Sequence, residues 1–496
     1  MDGLQYAWQA LSGSWTVTAA AVGGVVWGII GGALPGISPS IAMALLLPFT
    51  YGLDPIAAIV LLGAVYVGAE YGGSIPAILI RTPGTNAAAA TVIDGYELHR
   101  QGRGGEALGV SLVAGVTGGL IGWLFLVLFT EPLSRIALAF SFPAYFALGI
   151  LGISVIASLS DGSLIKGLMA GVIGLIIATV GSDPLSGVSR FTFGRPEFLE
   201  GIPFILVMMG LFAVSELMVQ TFEPPWQRAS NADTRIKLPS FKTWKGLWRA
   251  QGIGSGLGIF EGITPGGGAS IASFMAYNEA KRWSKTPEQF GKGSLEGVAA
   301  PEAANNTVAG TAIVPVLCFG IPGSNSTAIM LGGLLLHGLQ PGPLLFQKSP
   351  DFVYGMFAGL GVANIACFFI GLAILTPTIW LVNRPKPYLM ACILALVFSG
   401  VYSIDNSLFD VGVVLVAGVI GYIMRLVGFS FLPLVLGLVL GYLIESNYRR
   451  ALSVSGGDHM IFVQDPISLG LLLASLAFIL FSISRDVRAR RKHAAQ

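Results

Sequence analysis

Four glutamates stand in stretches that otherwise hold mostly apolar residues: Glu70 within 56–80, Glu216 within 202–220, Glu261 just before a Pro-Gly turn, and Glu302 in Val298-Ala-Ala-Pro-Glu-Ala-Ala-Asn-Asn306. A carboxylate is costly to take out of water, so in a membrane segment it marks a proton or cation site. Glu302 carries the most chemistry. Asn305 and Asn306 follow it by three and four residues, which places all three on nearby faces of one helix. With Glu70 added, the group reads as an ion-coupling site, with Na+ near Asn306 one form such an ion would take. The competing reading is a hydrogen-bond network at a helix start. Glu216 reads as a helix end facing a polar linker.

Small hydrogen-bond donors cluster beside four Pro-Gly steps. Ser38 and Ser40 follow Pro35-Gly36, Thr85 and Asn86 follow Pro83-Gly84, Ser270 follows Pro265-Gly266-Gly267-Gly268, and Ser324 with Asn325 follows Pro322-Gly323. A Pro-Gly step inside an apolar run removes a backbone donor and frees carbonyls and amides that a continuous helix would consume. Such backbone is tolerated at membrane depth where protein buries it or where it lines a watery cavity. A helix N-terminus after the break offers free N–H groups and a positive dipole end, and hydroxyls and amides donate to carboxylate oxygens. An anionic, carboxylate-bearing solute is therefore expected. Thr85, Asn86, Ser324 and Asn325 would carry recognition, while the Pro35 and Pro265 tips would serve backbone gating. The alternatives are a simple proline kink and hydroxyls that bond back to their own helix. Arg81, just before Pro83, is the one cation near a turn, and it also suits a membrane flank from which it snorkels outward.

These groups need a scaffold, and composition defines it. The 496 residues are 54% hydrophobic and 11% charged, with a mean hydropathy of +0.75, so the apolar side chains need lipid as solvent. Charge is bunched, leaving runs such as Trp15 to Tyr51 with none, long enough to span a bilayer. The runs are long and do not alternate, which favours helices over a β-barrel. About eleven to thirteen membrane segments are expected in an all-α polytopic membrane protein. The basic run Arg485 to Lys492 places the C-terminus in the cytoplasm by the positive-inside rule. The N-terminal MDGLQYAWQA has no basic region and is read as carrying no cleaved signal. Cys318, Cys367 and Cys392 lie in apolar runs and read as small buried hydrophobes. The four histidines form no HExxH metal motif and no nucleotide-phosphate loop is present, so neither an enzyme nor a cofactor is expected. Net charge +2 gives no reason to invoke nucleic acid.

The turns recur. Pro35-Gly36-Ile37-Ser38-Pro39-Ser40-Ile41-Ala42 falls on Pro265-Gly266-Gly267-Gly268-Ala269-Ser270-Ile271-Ala272 at an offset of 265 − 35 = 230, and Pro83-Gly84-Thr85-Asn86 falls on Pro322-Gly323-Ser324-Asn325 at 322 − 83 = 239. A third match sets Ala170-Gly-Val-Ile-Gly174 on Ala417-Gly-Val-Ile-Gly421. Two sequence-related halves are expected: 1–221, a cytoplasmic linker 222–249, a second half 250–465, and a terminal helix with basic tail 466–496. An odd number of crossings per half would make them inverted repeats. The stretch 250–280 is expected to enter and leave on one side, as a re-entrant hairpin or two linked half-length helices.

Gly32-Ala-Leu-Pro-Gly-Ile37, Tyr71-Gly-Gly-Ser-Ile-Pro-Ala77, Pro83-Gly-Thr-Asn-Ala-Ala-Ala-Ala90 with Asp94-Gly-Tyr96, Gly297-Val-Ala-Ala-Pro-Glu-Ala-Ala-Asn-Asn306 and Gly320-Ile-Pro-Gly-Ser324 resemble the large membrane subunit of the bacterial tripartite tricarboxylate transporters over nearly the whole chain. The resemblance implies a multi-pass permease of the cytoplasmic membrane that works with a small four-helix membrane subunit and a periplasmic solute-binding protein. It implies import of tricarboxylates, dicarboxylates or related organic acids, driven by an ion gradient. The Thr85-Asn86 and Ser324-Asn325 turns are also similar to the Ser-Asn-Thr carboxylate clamps of divalent-anion symporters, which implies an elevator-like transporter by analogy. A passive anion channel or a membrane scaffold is the competing class; a channel would not saturate or need a gradient.

Overall fold

The computed structural model describes residues 3–159, 164–183, 186–222, 235–264, 268–384 and 386–494. They are almost wholly helical, apart from one antiparallel ribbon of β1 (Gly181–Ser182) and β2 (Ser189–Arg190). Among the described residues, nine helices are long and apolar enough to cross a membrane, and Phe142–Ser158, Leu164–Ala178 and Asn325–Leu336 are apolar but shorter. The chain is an all-α polytopic membrane protein.

The first half runs α1 (Gly3–Gly13), α2 (Trp15–Ala33), α3 (Pro39–Leu46), α4 (Pro55–Gly72), α5 (Ser74–Ile80), α6 (Ala89–Arg100), α7 (Gly104–Ala137), α8 (Phe142–Leu159), α9 (Leu164–Ala178), α10 (Phe204–Met208) and α11 (Ser215–Phe222). A π-helical stretch, Met209–Val214, joins α10 to α11. The second half runs α12 (Phe241–Ile263), α13 (Gly268–Trp283), α14 (Glu296–Thr311), α15 (Ile313–Phe319), α16 (Asn325–Leu336), α17 (Leu345–Lys348), α18 (Pro350–Val382), α19 (Lys386–Asp405), α20 (Leu408–Leu426), α21 (Phe431–Val454), α22 (Ile461–Gln464) and α23 (Pro466–Ala494). Two compact units emerge, Met1–Ser134 with Glu216–Ile404 and Arg135–Ser215 with Asp405–Gln496, so each draws on both halves.

Local chemistry sets the breaks. After α2 the chain turns through extended Leu34 and left-handed Gly36 (φ 84°), and Ser38 then caps α3, with Pro39 at the first helical position. Helices α5 and α15 end alike: Arg81 (φ 59°) and Gly320 (φ 68°) both sit in the left-handed region. The amides that follow them, Thr82 and Ile321, donate to the carbonyls of Pro76 and Pro315 at 3.4 Å each. These are the bonds that close a helix C-terminus. The stretch 250–280 forms a helical hairpin whose first arm, α12, is 23 residues long and already begins at Phe241. Its turn residues Pro265, Gly266 and Gly267, and the linker residues 223–234, lie outside the described residues.

Glycine ladders hold the first unit together. Cβ atoms placed on Gly24, Gly28 or Gly32 of α2 would collide with the backbone of α4 at Leu61, Val65 and Ala69. Gly254 and Gly258 of α12 stand in the same way against Ala300 and Ala304 of α14, and Gly262 stands against the side chain of Thr311. Helix α14 is also met from its other side by Gly118 and Gly122 of α7, which approach the carbonyls of Ala303 and Thr307. Small residues four apart let helices close to backbone contact, where dispersion and close polar contacts replace the hydrophobic force that lipid cannot supply.

In the second unit, Gly174 of α9 abuts the Leu434 carbonyl of α21, and Gly437 of α21 abuts the Gly171 carbonyl of α9. Gly418 and Gly421 of α20 pack on Val214, Ser215 and Leu211. Arg190 in β2 grips Glu445 of α21 through two bonds of 2.6 and 3.2 Å, and Asp183 accepts from Arg449 at 2.7 and 2.9 Å, which pins the ribbon to α21.

Candidate functional site

The end of α2 and the start of α13 each meet a neighbouring turn. Gly84 packs on the Gly32 carbonyl and on Gly73, and its amide donates to the Gly73 carbonyl at 3.0 Å, so the Pro83 turn rests where α2 ends and α4 gives way to α5. In the second half, a Cβ on Gly268 would stand 4.0 Å from the Cβ of Ser324, which makes the start of α13 a neighbour of the Pro322 turn. Helix α3 packs on α16, and α13 on α6. Among the described residues no hydrogen bond joins the Pro83 turn to the Pro322 turn. Gly266 and Gly267 lie outside the described residues, and Ser270 is half-buried on α13.

The turn hydroxyls are committed to the backbone. Ser38 accepts from the Ile41 amide at 3.4 Å and pairs with Ser40 at 2.8 Å. Thr85 Oγ1 accepts from the Ala88 amide at 3.3 Å. Ser324 and Thr327 form a reciprocal capping box at the start of α16, with bonds of 3.2 and 2.9 Å. Asn86 and Asn325 are instead exposed, so their amides carry no desolvation cost. Arg81 is exposed and lies over the Tyr96 ring at 5.8 Å.

The buried carboxylates gather around α4 and α14. Glu302 is fully buried; Thr91 Oγ1 of α6 donates to its Oε1 at 2.5 Å, and Ser111 Oγ of α7 lies 3.2 Å from its Oε2. Ser111 in turn meets Ser74 of α5 at 2.6 Å. Asn305 donates to the Glu70 carbonyl at 3.2 Å and also faces the Glu70 side chain, which lies within electrostatic reach of Glu302. Asn306 bonds back to the Glu302 carbonyl at 3.0 Å, so it joins the helix backbone and not the carboxylate. Glu70 Oε2, Tyr71 Oη, Asn305 Oδ1 and, on α18, Asn364 Oδ1 are buried atoms without a hydrogen-bond partner. Tyr66, one helical turn before Glu70, lies beside the side chains of Ser324 and Ser326. Helix α4 thus runs from the cap of α16 to the carboxylates. Gly73, beside Thr85, follows Tyr66 by seven residues, about 10 Å along the axis.

Two acids serve structure. Asp94 of α6 is buried, and its Oδ1 accepts from the amides of Gly291, Gly293 and Ser294 at 2.8 to 2.9 Å while Oδ2 accepts from Tyr277 Oη at 2.9 Å. This ties the polar 284–295 segment to the first half. Glu216 is buried and accepts from Gln220 at 3.1 Å, and Gln220 packs against Gly36 at the first tip. Glu216 thus helps to hold the first tip through Gln220, and the linker residues it was expected to face lie outside the described residues. Cys318 and Cys367 are buried as expected, whereas Cys392 is exposed on α19. Among the described residues no three His, Cys, Asp or Glu side chains form a group able to hold a metal ion.

Thr91, Ser111, Ser74, Tyr66, Gln220 and Asn364 join these sites without a signal in their own neighbourhoods. Ser and Thr are common in apolar helices, and only tertiary packing sets them against Glu302. The glycine period of four in α2 and α12 is the one missed feature that stands openly in the chain.

Broken helices, capped turns and buried carboxylates in a polytopic helical chain define a membrane transport protein of the broken-helix class. The model of the tripartite tricarboxylate transporter TctA family matches residues 19–436. The chain belongs to that family, and is thus a membrane component of a tripartite tricarboxylate transporter. An uncharacterised 52.8 kDa protein in the TAR-I ttuC' 3' region of Agrobacterium vitis is 38% identical over 454 residues, covering 90% of this chain and 89% of the relative. An uncharacterised protein in the TAR-II ttuC' 3' region of the same organism is 37% identical over 234 residues, covering 47% of this chain and 97% of the relative. No solved structure matches.

Proposed function

We propose that the chain is the permease subunit of a binding-protein-dependent secondary transporter in the bacterial cytoplasmic membrane, with its C-terminus in the cytoplasm. It imports tri- or dicarboxylates or related organic acids, with a small membrane subunit and a periplasmic solute-binding protein as partners, and draws on an ion gradient. The Pro83 and Pro322 turns hold the carboxylate through Thr85, Asn86, Ser324, Asn325 and the free amides at the start of α16. Glu302 and Glu70, with Asn305 and Asn306 supporting the helix between them, handle the ion. The single observation that carries this reading is the seating of Tyr66 against Ser324 and Ser326, one turn from Glu70, which joins the recognition turn to the carboxylates through one rigid helix.

The halves are read as a duplicated unit, 1–221 and 250–465, arranged as inverted repeats that move in an elevator-like manner. In support, the glycine ladders stand at 254 − 24 = 230, the offset of the Pro-Gly tips, and the left-handed caps at 320 − 81 = 239, the offset of the second turns.

The test is uptake of a labelled tricarboxylate or dicarboxylate into proteoliposomes holding both membrane subunits and the binding protein. Saturable, gradient-dependent uptake is expected. Flux that neither saturates nor depends on a gradient would make the chain a channel, and uptake unaffected by loss of every turn side chain would make it a scaffold.

A further inference from the structure

The hydrogen bonds around Glu302 do not balance unless the side chain carries a proton. Ser74 Oγ lies 2.8 Å from the Tyr71 carbonyl, which accepts only, so the single Ser74 proton is spent there. Ser74 and Ser111 are 2.6 Å apart, and Ser111 must therefore donate to Ser74. Ser111 then has no proton left for Glu302 Oε2, 3.2 Å away. An ionised Glu302 only accepts, so three bonds would have to share two protons. Placing a proton on Glu302 Oε2 closes the count: Oε2 donates to Ser111, Ser111 to Ser74, and Ser74 to the Tyr71 carbonyl. Glu302 Oε1 remains an acceptor for Thr91. A proton on Oε1 does not help, because Ser111 would still owe two bonds.

We propose that Glu302 is a neutral carboxylic acid in this conformation, hydrogen-bonded through Oε2 to the Ser111–Ser74 chain, and that the ion it handles is a proton. This rests on the reading of Glu302 as a coupling residue. Loading adds one proton from water to the carboxylate and unloading returns it, with no redox change. The titratable groups within electrostatic reach of Glu302 are Glu70 and Tyr71 on α4. The helices packed against α14 do carry cations, Arg100 on α6, Arg135 on α7, Lys242, Lys245 and Arg249 on α12 and Lys281 and Arg282 on α13, with His99 on α6, but all except the half-buried His99 are exposed, whereas Glu302 is fully buried and its hydrogen bonds run to Thr91 and Ser111. The hydroxyl chain supplies a donor-to-acceptor sequence with one direction only.

The test is infrared spectroscopy of the purified full chain in lipid nanodiscs at neutral pH. A carboxylic-acid carbonyl band is expected in the wild type, absent in Glu302→Gln and retained in Glu70→Gln. Ser111→Ala and Ser74→Ala should move the band to higher frequency, because each weakens the hydrogen bond that Oε2 donates. Identical acid bands in wild type and Glu302→Gln would overturn the proposal; should Glu302→Gln fail to fold, an unmoved band in Ser111→Ala would do the same. Uptake measured in parallel separates the two claims. If the band belongs to Glu302 but Glu302→Gln keeps wild-type ion dependence, the proton stands and the coupling role falls. If Glu302→Gln loses ion dependence, no acid band is assigned to it, and Na+ alone drives wild-type uptake, coupling stands and the proton falls.

Discussion

A Cβ on Gly268 would stand 4.0 Å from the Cβ of Ser324. That spacing lies within the 3.5–4.5 Å window that a disulfide requires, roughly at its centre. It sets the start of α13 directly against the capped start of α16.

The double variant Gly268→Cys/Ser324→Cys, made in a Cys392→Ser background to remove the exposed thiol, is therefore expected to cross-link under mild oxidation. Left-handed Gly268 (φ 63°) imposes a strain of about 1–2 kcal/mol on the cysteine, which the variant should tolerate. Mass spectrometry of the joined peptides checks the bond. Uptake should fall on oxidation and return with reductant, since the start of α13 can no longer leave the cap. Failure to cross-link would separate the two turns.

The glycine ladders predict a sharp contrast between neighbours. Gly258→Ala forces a methyl group into the backbone of α14 at Ala304 and should cost about 1–3 kcal/mol, whereas Gly256→Ala meets nothing within 4 Å and should be neutral or gain up to about 1 kcal/mol. Thermal unfolding in detergent reads the difference. Equal effects at both positions would remove the ladder as the reason for the glycines.

Asp94→Ala strips three backbone amides of their acceptor, each worth about 1–3 kcal/mol when left buried and unpaired. The 284–295 segment should loosen and become cleavable by a limiting protease near Lys285 or Lys292, while wild type resists. Gly297→Ala should act in the same direction, because its methyl group would enter the space of Asp94 Oδ2.

The helical, polytopic architecture was legible in long apolar runs, because lipid leaves the backbone few other ways to satisfy itself. Ser38 and Ser324 were legible beside their Pro-Gly steps and turn out to be helix caps, since a hydroxyl just before a helix reaches the amide three residues on. Glu302 stood out by the cost of its charge. Its partners did not: Thr91 and Ser111 lie 211 and 191 residues away in the chain, and nothing local distinguishes them from hydroxyls that merely bond back to their own helix. That each unit draws on both halves of the chain was hidden for the same reason, because apolar runs carry no record of which helix they face.

The central claim is that the Pro83 and Pro322 turns recognise the carboxylate beside the buried acids. Uptake of labelled carboxylate by Asn86→Ala and Asn325→Ala, reconstituted with both partner proteins, tests it most directly. Each lost amide contact to a charged oxygen is worth about 1.5–3 kcal/mol, so a loss of roughly tenfold or more in uptake efficiency is expected for each variant, at unchanged protein stability. Wild-type uptake by both variants would contradict the account.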